Sequence, residues 1–240
     1  MDRHIARLGA AAALLGTLLL AVGTILHPMQ ADPADATAAF AEYAEDSLWV
    51  ASHLAQFLGI VGLGAALVAL AMIIDRGRAS AWARIGAFGA AASIATAAAL
   101  QATDGVALKV TVDRWAAATG DARLYAFEAA FAVRQIEIGL ASLLSVLFGV
   151  TILVFGGALI FSRLFGSWLG WLALIGGSAT FASGIAQAYT GFAPTAMMMS
   201  MSASLVLLVW AVALAVVMWR MAPELRETED VPSRPLRSTA

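Results

Sequence analysis

Six stretches of this chain stay apolar for about 20 residues at a time: 8–26, 54–74, 85–103, 136–161, 168–189 and 197–221. Each is long enough to cross a hydrocarbon layer of about 30 Å as a helix rising about 1.5 Å per residue. Inside lipid a backbone must satisfy its own N–H and C=O groups, which favours the α-helix for such runs. The expected fold is therefore all-α: a six-transmembrane-helix bundle forming one domain over 1–221. The composition agrees, at 61% hydrophobic and 12% charged, where soluble domains carry roughly 25% charged residues. There is no cysteine, so disulfides, thiolate metal sites and thiol catalysis are excluded. A net charge of −2 without a basic stripe gives no footprint for nucleic acid.

Lys and Arg set the expected orientation. Alternate connections and ends collect Arg3, Arg7, Arg76, Arg78, Arg84, Arg163, Arg220, Arg226, Arg234 and Arg237 on one side. The other side holds Lys109, Arg114, Arg123 and Arg134. The excess places both termini in the cytoplasm. The first outer loop should hold a short amphipathic helix over 32–49. Asp32 and Pro33 open it, and Phe40, Tyr43, Ser47 and Leu48 recur at helical spacing. Helical pattern in the third span runs on to Thr119, and the fourth span can begin at Asp121. Thr119-Gly120-Asp121 reads as a terminal glycine followed by a capping aspartate, so these spans should form a tall hairpin above the membrane. The segment 222–240 carries three prolines and few apolar residues, and is expected to be a disordered cytoplasmic tail. A signal peptide is the alternative for 8–26, but its apolar run exceeds the usual 7–15 residues or so, so a retained span is expected.

Polar residues collect toward the outer ends of the spans. His27, His53, Gln56, Gln101, Asp104, Glu128, Gln135, Glu137 and Gln187 all fall there, and the inner halves are nearly free of such groups. In the third span Ser93, Ala97, Gln101 and Asp104 share a helix face. In the fourth, Gln135, Gly139, Ser142 and Gly149 do so, with Glu128 if the helix starts early. In the fifth the row is Gly176, Thr180, Ser183 and Gln187. Small residues mark close helix approach in membranes, so these rows should face the bundle interior. In the second span the small row Ala55, Gly59, Gly62 and Ala66 lies away from His53, whose partner is open. The expected ligand-binding set is His53, Gln56, Gln101, Asp104, Gln135 and Gln187, lining a polar pocket open to the outside.

Plainer readings stand beside it. His53 suits an interfacial position near water, and Asp104 can pair with Lys109. Arg134 and Glu137, three apart, suit a surface pair, with Glu137 pointing away from the Gln135 face. The glutamines can be glue between helices. Met197 to Met201 suggests copper at first sight, but consecutive residues scatter around a helix, which favours flexible packing. As chemistry, Asp104 and Glu128 are the candidates for acid–base catalysis. His27 and His53 are the candidates for metal or haem, without the spacing of a known metal motif. Cofactors are left open.

The opening IARLGAAAALLGTLLL, the run IGLASLLSVLFGVTILVFGGALIFSRLFGSWLGWLALIGGSATF and its Leu-Gly-Trp-Leu-x-x-x-Gly-Gly entry at 169–177 resemble a bacterial family of small polytopic membrane proteins of unknown function. That resemblance implies a multi-pass protein of the bacterial cytoplasmic membrane and supplies no site residues. The leading expectation is binding, or helping to move, a small ligand, lipid or ion. A membrane-embedded enzyme and an accessory subunit of a membrane complex are the alternatives. The lipid bilayer is the expected partner.

Overall fold

The computed structural model describes residues 3–222, and the expected tail at 223–240 lies outside them. The described residues are helical and contain no strand. In order they form α1 (Arg3–Leu26), α2 (Ala36–Glu45), α3 (Trp49–Ile73), α4 (Gly77–Gln101), a π-helical segment (Ala102–Leu108), α5 (Lys109–Ala117), α6 (Asp121–Phe161), α7 (Ser167–Thr190) and α8 (Pro194–Met221). Six helices are long and apolar enough to cross a membrane: α1, α3, the continuous rod Gly77–Ala117, α6, α7 and α8. All six expected spans are present, and most are longer than their apolar cores.

The spans form a ring in chain order. α1 packs on α3, α3 on α4, α4 on α6, α6 on α7, α7 on α8, and α8 closes onto α1. One end of the ring carries the chain's first described residues, the end of α8 and the short α3–α4 and α6–α7 connections; we call it the terminal face. The opposite end, the cap face, carries α2 and the upper halves of two long rods. Gly77–Ala117 and α6 each have 41 residues, about 60 Å of helix or twice a hydrocarbon layer. This is the expected hairpin. It turns at Gly120, whose φ of +55° suits glycine. Asp121 is the first helical residue, so Gly120 and not the aspartate stands at the N-cap position.

Two apolar clusters fill the molecule. The larger lies within the ring and includes Leu67, Leu70, Ile152, Phe155, Leu214 and Met218. At its centre is an apolar cavity of about 20 Å³, lined by residues such as Leu63, Leu67, Phe148, Ile152, Trp210 and Leu214. The smaller cluster holds the cap: Phe40 and Tyr43 of α2 pack with Trp49, Leu108, Val112, Trp115 and Ala130. The outer flanks stay apolar and exposed, with Ile25, Phe88, Leu143, Ile175 and Leu205 all at least 61% accessible. Such a surface suits lipid.

Small residues set the closest contacts. The row from Gly59 to Gly62 meets α1, not the partner of His53: a Cβ on Gly16 would fall 2.8 Å from Gly59 O and 2.8 Å from Leu63 N. Backbone atoms cannot rotate away. Gly16→Val should therefore force α1 and α3 apart and cost about 1–3 kcal/mol or more, seen as a lower unfolding temperature of the detergent-solubilised protein. An unchanged transition would contradict this packing.

Candidate functional site

α2 begins three residues later than its sequence suggested. Asp32 makes a turn, accepting from Ala34 N at 2.9 Å. Asp35 is the N-cap, accepting from Thr37 N and Ala38 N at 3.0 and 3.1 Å. Two cations from the hairpin then hold α2 down. Lys109 Nζ donates to Tyr43 O (2.9 Å), Ala44 O (3.0 Å) and Asp113 Oδ1 (2.8 Å). It thus satisfies carbonyls in the last turn of α2, where a cation is favoured. The expected alternative, Lys109 paired with Asp104, is not what forms. Arg134 is 2% exposed. It donates to Tyr43 Oη at 3.1 Å and Pro33 O at 2.9 Å. Its guanidinium also lies 5.1 to 6.0 Å from the ring centres of Phe40, Tyr43 and Phe192, within cation–π range. Glu137, 5% exposed, stands 3.8 Å from Arg134 Nη1. The reading of Arg134 and Glu137 as a surface pair is thus corrected. The cap adds a roof of aromatic rings that leaves both inside.

Beneath α2 lies His53, 1% exposed and so not interfacial. Its Nδ1 is 2.7 Å from Trp49 O and 3.2 Å from Ser52 Oγ. A carbonyl oxygen only accepts, so Nδ1 carries a proton and Nε2 faces the other way. There, Nε2 meets Asp104 Oδ2 at 3.0 Å, at ion-pair distance but without hydrogen-bond alignment. Asp104 belongs to the π-helical segment, a distortion that often marks functional positions. Gly105 lets this segment approach: a Cβ there would fall 2.6 Å from His53 Cβ. Trp49 Nε1 donates to Asp104 O at 3.1 Å and secures the π turn. His27 completes the group, its ring centre 5.0 Å from those of both Trp49 and His53. Gln101 Nε2 reaches Gln56 Oε1 at 3.5 Å.

The structure thus brings together His27, His53, Gln56, Gln101 and Asp104. Gln187 is buried on α7, within the small-residue row expected there. Glu128 and Gln135 are exposed. An acid–base pair of Asp104 with Glu128 therefore has no buried geometry behind it. Glu137 and Arg134 hold the inward position on α6 instead. Among the described residues no group of three or more His, Asp or Glu side chains is arranged to hold a metal ion. The His27 and His53 rings touch, which leaves no room for a haem between them. Met198, Met199 and Met201 of the methionine run are exposed at 42–69%, so the run is spread around α8.

What the cluster lacks is donors. Asp46 Oδ2, Gln101 Oε1, Asp104 Oδ1 and Glu137 Oε2 are buried without a hydrogen-bond partner, as is His53 Nε2. Asp104 is also an electrostatic neighbour of Glu137. Lys109 is bound to Asp113 and to α2, and Arg134 is the cation beside Glu137. The fold and cluster define a class: a six-span helical protein of membrane type with an acceptor-rich polar site under an aromatic cap. No family model, curated protein or solved structure matches the chain.

Two predictions follow from this geometry. Arg134→Met leaves Glu137 buried beside no cation and should cost about 3–5 kcal/mol in unfolding measurements. Adding Glu137→Leu should recover most of that loss. A single-variant loss below about 1 kcal/mol would contradict the buried pair. The second concerns His27, outside the spans. Burial, then the nearby His53, hold its pKa below the ordinary 6.5, against the pull of Asp104, the Pro28 carbonyl and Asp46. The unfolded chain then binds the proton more readily than the folded one. The stability tied to neutral His27 is present above about pH 6.5 and lost as pH falls through the lowered folded-state value. His27→Gln should flatten that part of the acid limb of a stability–pH curve; an unaltered limb would contradict it.

Proposed function

We propose that this protein takes a small cationic ligand or ion into the cluster beneath its cap, from the extracytoplasmic side of a bacterial cytoplasmic membrane, as a binding or transport-related protein. The excess of Lys and Arg on the terminal face supports that orientation, with both termini cytoplasmic. One observation carries the ligand class: the buried, unpartnered acceptors Gln101 Oε1, Asp104 Oδ1 and Glu137 Oε2. Each is costly when left unsatisfied, and a cation or a donor-bearing ligand supplies the kind of partner they lack. Gln56 and Gln101, half-buried, stand at the edge of the cluster as neutral acceptors. His53 and Asp104 form its charged floor, and Gln187 is a further polar side chain buried on α7.

The natural absence of cysteine makes the test clean. Gln101→Cys should react with membrane-impermeant methanethiosulfonates added from the cap side. A cationic reagent should react about tenfold or more faster than an anionic one, because the nearby Asp104 carboxylate attracts cations. Asp104→Asn in that background should shrink the difference. Ile152→Cys, in the apolar centre, should stay unmodified. Failure of both reagents to reach Gln101→Cys, or a preference for the anion, would overturn the proposal.

A further inference from the structure

We infer that the cluster's resident cation is a proton, held between His53 Nε2 and Asp104 Oδ2 and exchanged through the cap face alone. This rests on the cation-seeking reading above and names its smallest occupant.

The geometry leads there by elimination. Nδ1 of His53 is committed to Trp49 O at 2.7 Å, so a neutral ring would turn a lone pair toward the carboxylate 3.0 Å away. A lone pair beside a carboxylate at that distance is repelled, and a proton on Nε2 turns the contact into an ion pair. It can reside on either atom. Moving it breaks the Nε2–H bond and forms an O–H bond on Asp104, leaving neutral imidazole and a carboxylic acid.

The surrounding charges call for the same proton. From the α1–α2 connection comes His27, whose pKa burial lowers. From α2 and its C-terminal cap come Tyr43, hydrogen-bonded to Arg134, and Asp46, a further negative charge in reach of His53. From α4 comes neutral Gln101. From α6 come Glu137 and, 3.8 Å from it, Arg134. Lys109 of α5 is bound to Asp113 and to α2. Asp46, Asp104 and Glu137 outnumber Arg134 around the cluster, and His53 Nε2 is a base placed to supply positive charge there.

Exchange is one-sided because the ring centre offers no onward path. Below the cluster, Ser142, Ser183 and Thr180 turn their hydroxyls back onto Gly139 O, Thr180 O and Gly176 O of their own helices. The central cavity beyond is small and walled by apolar residues, and such cavities stay dry.

The test is a titration of the full chain in lipid nanodiscs, labelled with 15N-histidine and followed by NMR. The His53 signals are assigned by their loss in His53→Gln. Should that variant not fold, His4→Gln and His27→Gln leave the His53 signals in place and assign them by difference. Nδ1 of His53 should remain protonated throughout, while Nε2 gains or loses one proton at a single midpoint between about pH 4 and pH 10. Asp104→Asn should move that midpoint to lower pH by about one unit or more, a tenfold loss of proton affinity. If that variant does not fold, Asp104→Glu should still move it. A His53 that never changes protonation over this range would overturn the inference, as would a midpoint indifferent to both substitutions. Cationic reagent reaching Gln101→Cys without any His53 titration would remove the proton while leaving the cation site. His53 titration with an unreachable Gln101→Cys would do the reverse.

Discussion

Lipid supplies no hydrogen bonds, so a polar atom carried among membrane helices can be satisfied only by another part of the protein. In this molecule that constraint sorts the side chains by depth. Toward the terminal face the ring closes on apolar packing, with the indole of Trp210 tied to Leu169 O at 3.0 Å. Toward the cap face the same ring holds histidines, carboxylates, glutamines and an arginine. These need α2 above them, because an open ring would leave Arg134 and Glu137 at the edge of the bilayer with water on one side and acyl chains on the other. The cap is thus a consequence of the charges it covers.

The cap in turn is held by the charges beneath it. Arg134 bonds Pro33 O and Tyr43 Oη, and Lys109 bonds the end of α2. Glu42 closes the loop from the other side, its carboxylate accepting from Gln30 N and Ala31 N at 2.9 and 2.8 Å. Three charged side chains therefore fix a ten-residue helix that is too short to be stable alone. Any change in charge among Asp104, Glu137 and Arg134 acts on the groups that anchor the lid. The charges beneath the cap and the cap itself are physically linked through Tyr43, which belongs to α2 and bonds Arg134.

The spans were legible because each is a long local pattern, and the ring order follows the chain. The hairpin was legible too, from helical pattern continuing to Thr119 and restarting at Asp121. The cluster was legible in part by depth and by face: His53 meets Asp104, and Gln56 meets Gln101, at the same end of the bundle. α6 was misread because its small-residue row Gly139, Ser142 and Gly149 was extended backward to Gln135. A helix 41 residues long changes neighbours along its length. Its lower half faces α7, whereas its upper half faces α2 and α5, which turns Arg134 and Glu137 inward and Gln135 outward. The π-helical segment was not legible at all. It adds a residue to a turn without any break in apolar pattern, and its one local mark is Gly105. The partner of His53 depended on that turn, because the glycine gives the π segment room to close on His53.

The division between a polar cap half and an apolar ring half bears on the proposed ligand site. A conducting path needs polar groups or water along its whole length, and here the line of polar side chains stops at hydroxyls bonded back to their own helices. Of the carboxylates weighed for acid–base chemistry, Glu128 is exposed on the hairpin, and the buried Glu137 stands against Arg134. A subunit that used its polar rows only to pack helices would have them satisfied by one another, as the Gly176 to Gln187 row largely is. Beneath the cap the opposite holds. Among the described residues, buried acceptors without a partner stand on three elements at once, α2's end, the π segment and α6. That imbalance suits a site whose missing donor arrives from outside the chain.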